Sequence, residues 1–264
     1  MAWVLWFGGR RRRVVSWLVA GLLLTLGVLA VVRANQVPYP PPDLKGVVVA
    51  IDPGHGGVDP GAASPGGQVK EKDLTLALAL RLRAELEGAG AVPVLTRDGD
   101  HDPSRLPWRH PDRYRMNLRI RTATGAQAGA VVFISLHVDT TAAARGTRRG
   151  PSTYYGTKGA QAGAGEALAS AIQAAFHTAF GVTPKAYPLN IYVLRENRVP
   201  AAMVEFGFLN NPEDLARLRD GAYQQALVRA LVTGLGAYLR TSERSRAPAT
   251  TRQPGPQGPK PALS

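Results

Sequence analysis

Residues 47–57 read Val-Val-Val-Ala-Ile-Asp-Pro-Gly-His-Gly-Gly. The run from Val47 to Asp52 is short, apolar and rich in β-branched residues, which suits a strand buried on both faces. The chain must then turn at once. A proline and three glycines around His55 make a tight turn in which backbone can approach a neighbour closely while the imidazole projects from the strand end. A strand that empties into a histidine-bearing turn is a pattern of α/β domains, whose sites gather at strand ends.

Working outward, the same kind of apolar run recurs at Val92–Thr96, Val131–Leu136, Ile191–Leu194 and Ala202–Phe206, and each predicts a strand. Between them lie helical patterns. Asp73–Glu87 carries apolar residues at helical spacing, with an acid at its start and Gly88 after it. Glu166–Phe180 and Pro212–Leu239 are strong helical stretches, and Asp112–Gln127 is a weaker one. The alternation predicts one α/β domain over residues 46–241.

The chemistry-bearing residues follow from these placements. His137 closes the run Phe133-Ile-Ser-Leu-His137 and so stands at a strand end like His55, which points to a shared site; a core histidine satisfied by hydrogen bonds is the plainer alternative. His101, His110 and His177 fall in a polar segment and on a helix face and read as surface residues. The chain has no cysteine, so a tightly held metal would need histidine and carboxylate ligands. Glu71 stands at the mouth of the helix after the His55 turn, where it fits a third ligand and equally a first-turn glutamate complementing the helix dipole. Glu205 interrupts the apolar stretch Ala202–Phe206. A carboxylate there is costly unless paired or functional, although an edge strand could turn it to solvent.

The segments AIDPGHGGVDPGA, KEKDLTLALAL, VLTRDGD, FISLHVD and PAAMVEFGFLNNPED, in that order between about Val47 and Leu239, resemble the zinc-dependent N-acetylmuramoyl-L-alanine amidases of the type-3 amidase family. The resemblance implies a mixed β-sheet flanked by helices and one zinc ion on His55, Glu71 and His137. It also implies Glu205 as the catalytic glutamate, and peptidoglycan or its fragments as substrate, cut between the lactyl group of N-acetylmuramic acid and L-alanine. Asn210 becomes a candidate for substrate contact. A zinc peptidase acting within the stem peptide, or a wall-binding module without activity, are the rival readings. Val138 stands where the family more often has alanine, residues 99–115 look like an insertion, and there is no separate wall-binding repeat.

Outside the domain the sequence changes character. Residues 14–32 contain no charged side chain, a length matching the ~20 residues of a transmembrane helix. Arg10–Arg13 precede this stretch and only Arg33 follows it directly, so residues 1–13 are expected in the cytoplasm and the domain on the far side of the membrane. The long apolar run and the poor cleavage pattern at Val32-Arg33-Ala34 favour an uncleaved signal-anchor over a signal peptide. Residues 33–45 form a proline-rich linker, and residues 242–264 a disordered Pro-rich tail. The net charge of +13 owes five charges to Arg10–Arg13 and Arg33. With no basic–aromatic interleaving, nucleic acid is not an expected partner.

Overall fold

The computed structural model describes residues 16–19, 39–107, 109–140 and 148–246. The order of elements from residue 48 is β1 (Val48–Pro53), α1 (Glu71–Gly88), β2 (Val92–Leu95), α2 (Arg113–Gln127), β3 (Val132–Asp139), β4 (Ser152–Tyr155), α3 (Ala162–Phe180), β5 (Tyr187–Pro188), α4 (Tyr192–Arg195), β6 (Ala201–Phe208), α5 (Pro212–Leu218) and α6 (Gly221–Arg246).

The strands form one sheet in the order β2-β1-β3-β6-β4-β5. The first four are parallel, and β4 then runs antiparallel to β6 while pairing in parallel with β5. The sheet is therefore mixed. Alternate residues of each strand point to opposite faces, so the central strands fill two cores. Val49, Ile51, Val132, Ile134, Leu136, Val204 and Phe206 pack with α1, α3 and α6 in the larger one. Ala50, Phe133, Ala201 and Met203 meet Val193 and Leu194 of α4 in a smaller one on the opposite face. The smaller core leaves that face partly open near the strand ends.

Two expectations are corrected. Ile191–Leu194 is not a strand: Ile191 is extended, but Tyr192–Arg195 forms the short helix α4, closed by the Asn197 side chain donating to the Val193 carbonyl at 3.1 Å. Four apolar residues carry no periodicity that separates strand from helix. The helix expected over Pro212–Leu239 is two helices. Asn211 caps the first through Glu213 and Asp214, with Pro212 behind it, and Asp220 caps the second by accepting the Ala222 and Tyr223 amides at 2.6 and 3.1 Å. That second helix runs on to Arg246, so the part of the expected tail from 242 to 246 is helical.

The expected membrane span at 14–32 lies outside the described residues except for 16–19, which are helical. Among the described residues no helix is long and apolar enough to cross a membrane. Residues 247–264 of the tail also lie outside them.

Candidate active site

Three parallel strands deliver the site. β1 ends at Pro53 and passes into the His55 turn, β3 carries His137, and β6 carries Glu205 directly beside His137 in the strand register. α1 brings the fourth residue, Glu71, in its first turn. All four predicted positions therefore meet at the carboxyl ends of the sheet.

Glu71 is the hub. It is 4% exposed, far from the solvated first-turn glutamate that its position alone allowed. One carboxylate oxygen lies 2.8 Å from His137 Nδ1 and accepts the Val138 amide at 3.1 Å. The other lies 3.1 Å from His55 Nε2 and accepts the Ala62 amide at 2.7 Å. The imidazole rings stand edge-on, 5.1 Å apart. His55, Glu71 and His137 thus offer three ligand atoms within 4.8 Å of one another, a group that can hold a metal ion. Burial alone would lower the His55 imidazole, but hydrogen bonds and charge from Asp59 and Glu71 override it and push it up to about 9. Burial would likewise raise the Glu71 carboxyl, yet the two imidazoles hold it well below the usual carboxylate range. A divalent cation held by these three residues would compete with protons for the same lone pairs, so its binding would displace the imidazole protons that face Glu71.

Residues that the sequence reading passed over hold these ligands in place. Asp59 lies 2.9 Å from His55 Nδ1 and so turns Nε2 toward Glu71, the usual device for orienting a metal-binding imidazole. His55 has φ +61, a left-handed conformation unusual outside glycine. Its carbonyl is gripped by Arg121 Nη2 at 2.5 Å. The same guanidinium donates to Asp52 at 2.6 Å and to the Pro53 carbonyl at 2.8 Å, and Arg97 donates to the Pro53 and Gly54 carbonyls from the other side. Asp52 is held ionised: burial opposes this, but Arg121, Thr96 and Ser135 outweigh it and lower its pKa. Two glycines are needed for close approach. A Cβ on Gly54 would overlap the His137 ring, and one on Gly61 would come within 2.5 Å of Glu71.

The segment read as an insertion buttresses the same turn. Asp100 accepts the Gly57 amide at 2.8 Å and pairs with Lys72, while Asp102 binds Arg113 and Asn117, whose side chain in turn accepts from Arg121. Arg121→Met is expected to destabilise the domain by about 3–5 kcal/mol, because Asp52 is left charged and buried without its partner. Chemical denaturation measures this, and a loss under about 1 kcal/mol would show that the pair is not structurally needed.

Glu205 is unlike the others. Its Oε2 is buried and has no hydrogen-bond partner among the described residues. Burial first, then the negative charges of Glu71 and Asp139, push its pKa well above the ordinary carboxyl range. A buried carboxylate oxygen without a partner beside a candidate metal site marks Glu205 as a candidate functional residue. Beyond His55 and His137 a cleft opens, lined among others by Arg113, Tyr114, Leu118, Ile191, Tyr192 and Met203. Asn210 is in the turn between β6 and α5 and does not line that cleft.

The family model for N-acetylmuramoyl-L-alanine amidases, Amidase_3, matches residues 49–237. The chain belongs to that family. It is 30% identical over 235 residues to the germination-specific N-acetylmuramoyl-L-alanine amidase of Bacillus subtilis, covering 86% of this chain and 96% of that protein. It is also 30% identical over 208 residues to the amidase LytC of the same organism, covering 78% of this chain and 38% of LytC. Among solved structures, the CwlD amidase from Clostridioides difficile, determined in complex with the GerS lipoprotein, superposes with a TM-score of 0.66 at 28% identity over 74% of this chain and all of CwlD. The single α/β domain with its mixed, helix-flanked sheet is the amidase fold, and this family member is a peptidoglycan amidase.

Proposed function

We propose that the chain hydrolyses the amide between the lactyl group of N-acetylmuramic acid and the L-alanine of the stem peptide, with one zinc ion held by His55, Glu71 and His137. The observation that carries this reading is the pairing of a closed His–Glu–His donor group with the neighbouring Glu205, whose Oε2 is buried without a hydrogen-bond partner among the described residues. The donor set fits zinc, which commonly takes three protein ligands of imidazole and carboxylate type and leaves one position open. Bound there, zinc supplies the Lewis acidity that makes a water nucleophilic near neutral pH and polarises the amide carbonyl.

The chain's own residues do the rest. Glu205 takes a proton from the attacking water and returns it to the leaving nitrogen, and its raised pKa lets it hold that proton between the two events. Asp59 keeps the His55 ring in the tautomer that frees Nε2. Arg121 and Arg97 fix the backbone on which His55 sits. Mass spectrometry of digested peptidoglycan tests the reaction: glycan strands stripped of stem peptides, with free N-terminal L-alanine on the released peptides, are expected. Cuts within the stem peptide would assign the chain to the rival peptidase chemistry instead.

We also propose that the domain lies outside the cytoplasm, tethered by residues 14–32. What supports this is the charge-free stretch and the four arginines before it. A reporter fused after Ser264 should be active only on the outer side of the membrane. Recovery of a soluble form beginning near Ala34 would replace the anchor with a cleaved signal peptide.

A further inference from the structure

A second cleft opens on the other side of Glu205, lined among others by Arg148, Ser152, Tyr154, Thr183, Tyr187 and Phe208. It adjoins the site across the sheet: Ser152, in its lining, is the β4 neighbour of Glu205 in the β4–β6 register. After burial, the charges of Glu205 and Asp139 are what raise the Tyr154 hydroxyl, although Ser152 opposes the shift. The walls are fixed from behind. Asp214 accepts the amides of Gly150 and Phe208 at 2.9 and 3.0 Å, and Asn211 donates to the Arg148 carbonyl at 3.4 Å. Inside, the Tyr154 and Tyr187 rings lie 5.8 Å apart at a 36° tilt, and the Arg148 guanidinium sits 5.8 Å from the Tyr187 ring centre.

The two clefts differ in charge. In the first, Arg113 is paired with Asp102 and Arg121 with Asp52. In the second, no carboxylate pairs with the Arg148 guanidinium among the described residues, and the exposed Arg149 meets only the exposed Glu213. The substrate differs in the same way. On the glycan side of the scissile bond the lactyl carboxyl is spent in the amide, so the saccharide is neutral, while the stem peptide carries free carboxylates beyond L-alanine.

We propose that the second cleft receives the stem peptide, with a carboxylate of the residue after L-alanine on Arg148 and the peptide backbone against Tyr154 and Tyr187, and that the glycan leaves the site past His55 and His137. This rests on the reading of Glu205 as proton carrier. The group that returns a proton to the leaving nitrogen lies on the amine side of the amide, so the amine product extends away from the histidines, toward Ser152. Arginine suits the contact, because its planar fork matches a carboxylate while the cation stays over the Tyr187 ring.

Product binding to the zinc-loaded full chain tests this without turnover. The probes are the tripeptide L-Ala-γ-D-Glu-L-Lys, the same peptide with its D-Glu α-carboxylate amidated, and the disaccharide N-acetylglucosaminyl-N-acetylmuramic acid, each titrated by calorimetry. The free-acid peptide should bind wild type about five- to tenfold tighter than the amide, somewhat less than a full charge-assisted hydrogen bond because Arg148 is exposed to solvent. Arg148→Gln should erase that difference and leave disaccharide binding unchanged. Equal binding of the two peptides by wild type, no measurable peptide binding, or a loss confined to the disaccharide in Arg148→Gln would each overturn the assignment. The activity itself is judged separately: a chain that strips stem peptides from peptidoglycan yet binds both tripeptides alike refutes only the cleft, whereas a chain that strips none refutes the reaction.

Discussion

Glu205→Gln is expected to keep about one zinc per chain and to lower the rate of stem-peptide release by ~10²–10⁴-fold, the range typical for loss of a general acid–base group. The amide is nearly the shape of the carboxyl, and Glu205 lies on β6 between β3 and β4, where backbone pairing rather than this side chain holds the strand. The fold should therefore survive; Oε2 has no hydrogen bond among the described residues for the substitution to break. What the amide cannot do is accept a proton. Burial and the neighbouring charges of Glu71 and Asp139 already disfavour the charged form of this carboxyl, so a neutral amide should leave the variant no less stable than the wild type. Zinc content, thermal unfolding and peptide release on the same preparation check the three parts together. A variant with near wild-type release would move the proton-transfer role to another residue.

The parts of this structure that were legible in the sequence are those where local pattern and tertiary environment agree. β1, β3 and β6 are buried on both faces along most of their length, so their apolar runs stand out, and a histidine follows β1 and lies near the end of β3. β4, by contrast, is Ser-Thr-Tyr-Tyr, and β5 is the two-residue Tyr187–Pro188. Nothing in such short, half-polar pieces separates a strand from a loop. The break at Asp220 was hidden because the apolar residues on either side continue at helical spacing, while the interruption lies in a single side chain capping the next turn. At the site, the two histidines announced themselves by position, but Glu71 did not. Asp59 is four residues from His55 and could have been suspected from the second Asp-Pro-Gly. Arg121, distant in sequence and set in a helix with weak amphipathic patterning, becomes visible only once α2 is laid against β1.

Glu71 is where position in sequence and role in space diverge most, and Glu71→Gln is expected to behave oppositely to Glu205→Gln. Both Glu71 oxygens are occupied twice, by an imidazole nitrogen and a backbone amide each. An amide presents one oxygen and one NH2 group to those four partners, so whichever way it turns, one backbone N–H faces another donor. That conflict should cost roughly 1–3 kcal/mol of stability, the range for a buried donor left unsatisfied. The larger effect is on the metal. A neutral amide replaces the only anionic ligand of the proposed set, and the imidazoles lose the charge that orients them. Zinc affinity should fall by more than the ~10–100-fold seen when a mere outer partner of a ligand is removed. His55→Ala and His137→Ala should also lose most of their zinc. Activity in Glu71→Gln should therefore return in part when zinc is supplied in large excess, whereas no zinc concentration should rescue Glu205→Gln. Metal analysis after dialysis, followed by rate measurements across a zinc titration, separates the two residues. Full zinc occupancy in Glu71→Gln after dialysis would remove Glu71 from the ligand set and leave it as a brace between the two histidines.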